Sequence, residues 1–185
     1  YSQTNLVPNP SFETYTSCPT TLSQMSLALG WNSSIGSSDY YNSCNGSAVG
    51  IPSNGMGFQV AASGSAYAGF VAYDINGLAR EALGCKLTQT LNIGQTYYIS
   101  LKFCLAEFDA VNKQYVACNK IGLKFSTVSY SGSDFPYPGP NPAPIDNISH
   151  FYSNAKRSDT LNWTKLEGAF VADQNYQYVM IGNFF

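Results

Sequence analysis

From Gly57 onward the chain runs as short segments rich in aromatic, aliphatic and threonine residues, cut apart by glycine, asparagine and proline. Segments of that length and composition, bounded by turn residues, are strands rather than helices. The clearest is Tyr97 to Ala106. Phe58 to Ala61 and Ala66 to Tyr73 precede it, and Asn119 to Ser126 follows, with Ile121, Leu123 and Phe125 on one face. Residues 162–171 and 176–184 read as a final pair about the Asp173-Gln174-Asn175 turn. Residues 79–91 open with a helix-compatible run, but Thr88 to Leu91 and the Asn92-Ile93-Gly94 turn favour a strand. There is no 20–50 residue repeat and no heptad pattern. Strands spaced in this way predict an all-β fold: an antiparallel β-sandwich, residues 1–185 forming a single domain.

The N-terminal stretch Asn5-Leu6-Val7-Pro8-Asn9-Pro10-Ser11-Phe12-Glu13 reads as a short strand, Leu6-Val7, stopped by two prolines that each remove a backbone donor. Phe12 sits past that bend, placed to enter a core. Glu13 points the other way if the backbone is extended. A carboxylate beside a bent, carbonyl-rich loop suits structural Ca2+, with Asn9 and Asn183 as companion ligands; the alternative is a solvated charge. Residues 14–56 read mostly as loop. Trp31 ends their one apolar run and reads as a core anchor rather than a ligand platform, and Asp39-Tyr40-Tyr41-Asn42 reads as an exposed aromatic cluster. Residues 129–146 hold five prolines with Tyr130, Phe135 and Tyr137. Proline limits that loop's freedom, so its rings are either presented to a ligand or laid over a sheet edge.

Charged residues are only 11% of the chain and the formal net charge is −2, which lacks the basic footprint of a nucleic-acid binder. No apolar run approaches the ~20 residues of a membrane-spanning helix. No leader segment opens the sequence, and Tyr1 reads as a processed or trimmed start. Five cysteines are present without a C-x-x-C pair, and His150 is the sole histidine, so zinc is poorly supported. Cys18 and Cys44, in polar loop sequence, are the best disulfide candidates and suit an oxidising compartment. Of Cys85, Cys104 and Cys118, two can pair and one remains a buried thiol; a hairpin would favour Cys104–Cys118.

Several motifs recur in order along the chain. "NLVPNPSFE" opens it; Gly30-Trp31 precedes "SDYYNSC" at 38–44; "GIPSNGMGFQVAASGSAYAGF" covers 50–70. Arg80-Glu81 precedes "LTQTLNIGQTYYISL", Asn119-Lys120-Ile121-Gly122 precedes Phe125-Ser126, and "DTLNWTKLEGAFVADQNYQYVMIGNFF" closes the chain. Together they resemble the N-terminal jelly-roll, galactose-binding-like domain of secreted and cell-surface proteins of Bacteroidota, which is similar to carbohydrate-binding modules. The resemblance runs from Asn5 to Phe185. It implies a jelly roll, an extracellular location and calcium. It also implies a further strand, carrying a calcium-binding aspartate, beyond the point where this chain stops. A jelly roll lacking its last strand implies an open edge near the C-terminus, completed by strand exchange with a partner chain or by a continuation of the protein. Asp159-Thr160-Leu161 resembles the O-glycan acceptor of those bacteria, with Thr160 as the modified residue.

Catalysis needs an arranged set of acids, bases or nucleophiles. Glu107 and Asp109 are close enough in sequence to share a face, but nothing singles them out as a glycosidase pair. The expected function is therefore a non-catalytic adhesive or carbohydrate-binding module. Tyr40, Tyr41, Tyr130, Phe135 and Tyr137 would stack on sugar faces, with Asn42 gripping hydroxyls. The alternative is a structural subunit of a surface assembly or filament whose partner is another surface protein.

Overall fold

A computed structural model of the chain describes residues 4–73, 80–107, 117–132 and 142–185. Its strands are β1 (Trp31–Ile35), β2 (Asp39–Asn42), β3 (Ser53–Asn54), β4 (Gly57–Phe58), β5 (Ala66–Gly69), β6 (Ala82–Lys86), β7 (Thr96–Phe103), β8 (Ile121–Ser126), β9 (Phe151–Tyr152), β10 (Thr164–Val171) and β11 (Tyr178–Asn183). One 3-10 turn, Met25–Leu27, is the helical element among the described residues. The fold is all-β and every ladder is antiparallel.

The larger sheet has the order β1-β6-β11-β8-β9. Around its centre both faces are buried. Leu83, Cys85, Leu123, Phe125, Val179 and Ile181 point into the main core, while Ala82 and Met180 point the opposite way and pack with Ile35, Ala143 and Phe184. This explains why β8 is buried along its whole length: alternation disappears when a strand is covered on both sides. Across the main core lie two separate ladders, β7–β10 and β2–β5. In β7 and β10 exposure alternates residue by residue, the mark of a layer with one wet face. The layers meet where Phe125 of β8 stacks on Phe170 of β10, ring centroids 4.4 Å apart. Beside them, a Cβ at Gly168 would lie 2.5 Å from the Phe151 ring, so only glycine admits that ring between the layers.

Several sequence expectations are corrected. Leu6-Val7 forms no strand: the Leu6 carbonyl accepts from the amide and the hydroxyl of Thr88, and the Asn5 side chain accepts from the Val7 amide. Residues 14–56 are mostly loop, as expected, but β1, β2 and β3 lie within them. Among the described residues of the 79–91 segment, the strand is Ala82–Lys86 rather than Thr88 to Leu91. The last two strands are not a hairpin. β10 pairs with β7 and β11 inserts between β6 and β8, so the turn at 173–175 crosses between layers. β11, the last strand, is itself paired on both sides.

The Cys18–Cys44 disulfide is formed, with Cα atoms 6.0 Å apart. It ties the segment before the 3-10 turn to the loop after β2. Cys104 and Cys118 are not joined, and with Cys85 they are free thiols. The hairpin that would pair them does not exist: Cys104 follows β7 in one layer, and Cys118 leads into β8 in the other. Burial pushes the Cys85 thiol up to about 12 and the Cys104 thiol up to about 11, so both stay protonated and unreactive at neutral pH.

Candidate functional site

The aromatic cluster at 39–42 is interior. Tyr40 is fully buried, and Tyr41 and Asn42 nearly so. β2 pairs edge to edge with β5, and Tyr41 stacks on its cross-strand partner Tyr67 with centroids 5.0 Å apart. The Tyr40 hydroxyl donates to the Phe12 carbonyl at 2.9 Å and accepts from the Asn42 side chain at 2.7 Å. These three residues therefore build the core and have no face for a ligand; buried tyrosines need partners for their hydroxyls, and these have them. Tyr130 is half-buried and packs against the Met180–Phe184 cluster, and its carbonyl accepts from the Asn32 side chain. Phe135 and Tyr137 lie outside the described residues, as does Asp109.

The calcium set does not converge. The Asn9 side chain is spent on its own bend, donating to the Thr14 and Leu29 carbonyls and accepting from the Thr14 amide. The Asn9 carbonyl accepts from the Trp31 indole, which confirms Trp31 as an anchor in the core. One Glu13 oxygen accepts from the Ser65 amide at 2.9 Å. Gly64, at φ +65°, makes that approach possible, because a Cβ there would lie 2.4 Å from the carboxylate. Asn183 is elsewhere. Trp31 is level with Cys85 and Val179, and Asn183 lies four residues further along β11, about 13 Å away. Among the described residues no group of three or more His, Cys, Asp or Glu is placed to hold a metal ion. Glu13 fastens the N-terminal bend to the 64–65 turn, and the residues present do not form the calcium site drawn from the sequence. Thr160 is half-buried in a turn held by the Asp159 carboxylate, which accepts from the Leu161 and Asn162 amides.

Asp39, Glu81 and His150 make bonds within the fold. Asp39 accepts from the Ser23 amide and the Tyr41 hydroxyl, and burial pushes its carboxyl up to about 6. Glu81 accepts from the amides of Ser37 and Val71. His150 accepts the Phe125 amide at Nδ1, which places its proton on Nε2 facing the Tyr176 hydroxyl at 2.7 Å; Tyr176 in turn donates to Asp173 at 2.6 Å. Burial lowers the His150 pKa below 6.5, outweighing the field of Asp173. Lys124 and Asp146 also act on the ring, in opposite senses. A histidine depressed in the native state binds its proton more readily when unfolded. Its contribution is therefore present above pH 6.5 and is lost as pH falls from there toward the native value. Between pH 7.5 and 5.5 the wild type is expected to lose stability relative to His150→Gln in urea titrations. Asp39 works in the opposite sense, gaining stability as pH falls through about 6, but it is common to both proteins and cancels. Parallel pH profiles for the two proteins would refute the assignment.

A different site appears where β6 begins, β11 ends and the chain enters β8. Tyr73, Arg80, Asn119, Lys120, Lys156 and Phe185 line a pocket of about 400 Å3 there, with Cys118 and Asn183 in its wall. The Asn183 side chain donates to the Asn119 carbonyl and accepts from the Phe185 amide, which holds the two walls together. Arg80 donates to the Phe185 carbonyl and lies 4.1 Å from the centre of the Tyr73 ring. The Lys120 ammonium sits 4.4 Å from the Tyr152 ring centre and 4.5 Å from that of Phe185. Lys120 also holds a left-handed backbone, φ +66°, with its amide bonded to the Ser153 carbonyl. Non-glycine residues rarely adopt that conformation, and such positions concentrate at functional sites. Asn183, Cys118, Arg80 and Asn119-Lys120 figure in the sequence expectations for other reasons, not together as one site. Its members come from five separate segments. No family model, curated protein or solved structure matches the chain.

Proposed function

We propose that the chain is a non-catalytic, carbohydrate-binding β-sandwich of the secreted or cell-surface kind, with its ligand site at the Arg80–Lys120 pocket. The observation that carries this reading is the pocket itself: a concave site of ligand size that joins aromatic rings, amides and cations at one end of the larger sheet. The disulfide suits an oxidising compartment. A non-catalytic role is supported by the carboxylates of Glu13, Glu81, Glu107 and Asp159, each of which accepts a backbone amide. No described helix is long and apolar enough to cross a membrane.

Purified chain passed over an array of immobilised glycans is expected to bind one glycan class saturably, in competition with the same glycan free in solution. Failure on every glycan, together with self-association in sedimentation, would instead favour the assembly-subunit reading. In that case a partner's strand would pair along β5, β7 or β10, each of which has one side without a ladder partner among the described residues.

A further inference from the structure

We infer that the ligand of the Arg80–Lys120 pocket is an anionic saccharide, a sugar carrying a carboxylate or a sulfate. The inference rests on the carbohydrate reading for its sugar part and on the pocket's own electrostatics for its charge. A neutral sugar is held largely by laying its CH face on a bare aromatic ring. Here Arg80 covers a face of Tyr73, and Lys120 lies against both Tyr152 and Phe185. What the rings offer the pocket is positioned positive charge. A cation resting on rings has given up part of its hydration and holds its place through cation–π attraction, so an arriving anion displaces less water and meets a charge already aimed.

The lining adds to this bias. Among the described residues it carries Arg80, Lys120 and Lys156 and no acidic side chain. Lys120 and Lys156 form no ion pair among the described residues, whereas Lys124 and Lys165 each have a carboxylate partner. Lys156 is exposed at the rim and free to close on a second oxygen of the anion. Asn119, also exposed, presents an amide for hydroxyls beside the charged group. The left-handed backbone of Lys120 sets the angle at which its side chain crosses the two rings. An ammonium does not distinguish carboxylate from sulfate, so the two sources are separated by experiment.

Calorimetric titration of the full chain at low salt would use three oligosaccharides of equal length: an oligogalacturonate, its neutral galactan counterpart, and a sulfated galactan. The expected result is binding of at least one anionic oligomer about tenfold or more tighter than the neutral one, since a hydrogen bond to a charged group contributes about 1.5–3 kcal/mol. That affinity should fall as salt is added. Lys120→Gln is expected to lower anionic binding about tenfold and to affect neutral binding less. Lys156→Gln, at an exposed position that does not bear on folding, should lower it in the same direction. Which anionic oligomer binds identifies carboxylate or sulfate as the recognised group. Equal affinity for neutral and anionic oligomers would overturn the charge inference and leave the carbohydrate reading standing. Anionic binding untouched by both lysine substitutions would overturn the site. No binding in any of the three titrations would overturn the charge inference for these sugars, and only silence across the whole glycan array would remove the carbohydrate reading with it.

Discussion

Replacing Phe125 with alanine is expected to lower the free energy of unfolding by about 4 kcal/mol, the usual cost of removing a buried phenylalanine and leaving its cavity. Phe125 sits in β8 of the larger sheet and is 7% exposed. Its ring stacks on Phe170 of the opposite layer and meets Tyr176 at 5.8 Å and His150 at 5.6 Å. The loss is therefore twofold. Apolar area returns to water, and the contact joining the two layers disappears at the point where the His150 and Tyr176 side chains are themselves positioned. Relaxation is restricted, because Gly168 and the Phe151 ring already fill the neighbouring space. Urea unfolding of wild type and variant followed by tryptophan fluorescence measures the difference. A loss below about 1.5 kcal/mol would mean that the site collapses freely and that the layers are held elsewhere.

Breaking the Cys18–Cys44 bond, by a double serine substitution, is expected to cost about 3.5 kcal/mol, the chain-entropy value for a loop closed by residues 26 apart. The bond anchors a segment with little regular structure. Between Pro10 and Trp31 the described elements are the 3-10 turn and an isolated bridge from Tyr15 to Ala28. Without the cross-link, that segment relies on hydrogen bonds such as Thr16 to Leu27 and Asn45 to Pro19. The same region covers Tyr40 and Trp31, so its loosening exposes part of the main core. An unchanged unfolding midpoint in the double variant would show that these bonds and the packing of Met25 suffice without the covalent link.

The all-β character, the strands β7, β8, β10 and β11, the anchoring role of Trp31 and the Cys18–Cys44 bond were all legible in the amino-acid sequence. Each rests on a local cause. Alternation of side chains in β7 and β10 reflects one dry and one wet face, the apolar triad of β8 reflects burial, and two cysteines in loops without other support call for a staple. What the sequence did not carry was partnership. Trp31–Ile35 and Asp39–Asn42 contain serine, asparagine and aspartate, which favour turns in isolation. They become strands because β6 and β5 supply hydrogen-bonding edges to them. The tyrosines at 40 and 41 looked like surface rings because of their polar neighbours, and are buried because the β2–β5 ladder is laid against the main core and Tyr41 is covered by Tyr67. Cys104 and Cys118 looked like hairpin partners and lie in different layers, since β10 rather than β8 pairs with β7. The Arg80–Lys120 pocket follows the same rule. Residues 73, 80, 118–120, 156 and 183–185 are distant in sequence, and they meet because β11 enters the larger sheet between β6 and β8 and so brings the start of one, the start of the other and its own end to a single rim. Side-chain periodicity is a local quantity and survives in the sequence, whereas strand order depends on long-range pairings that no single segment encodes.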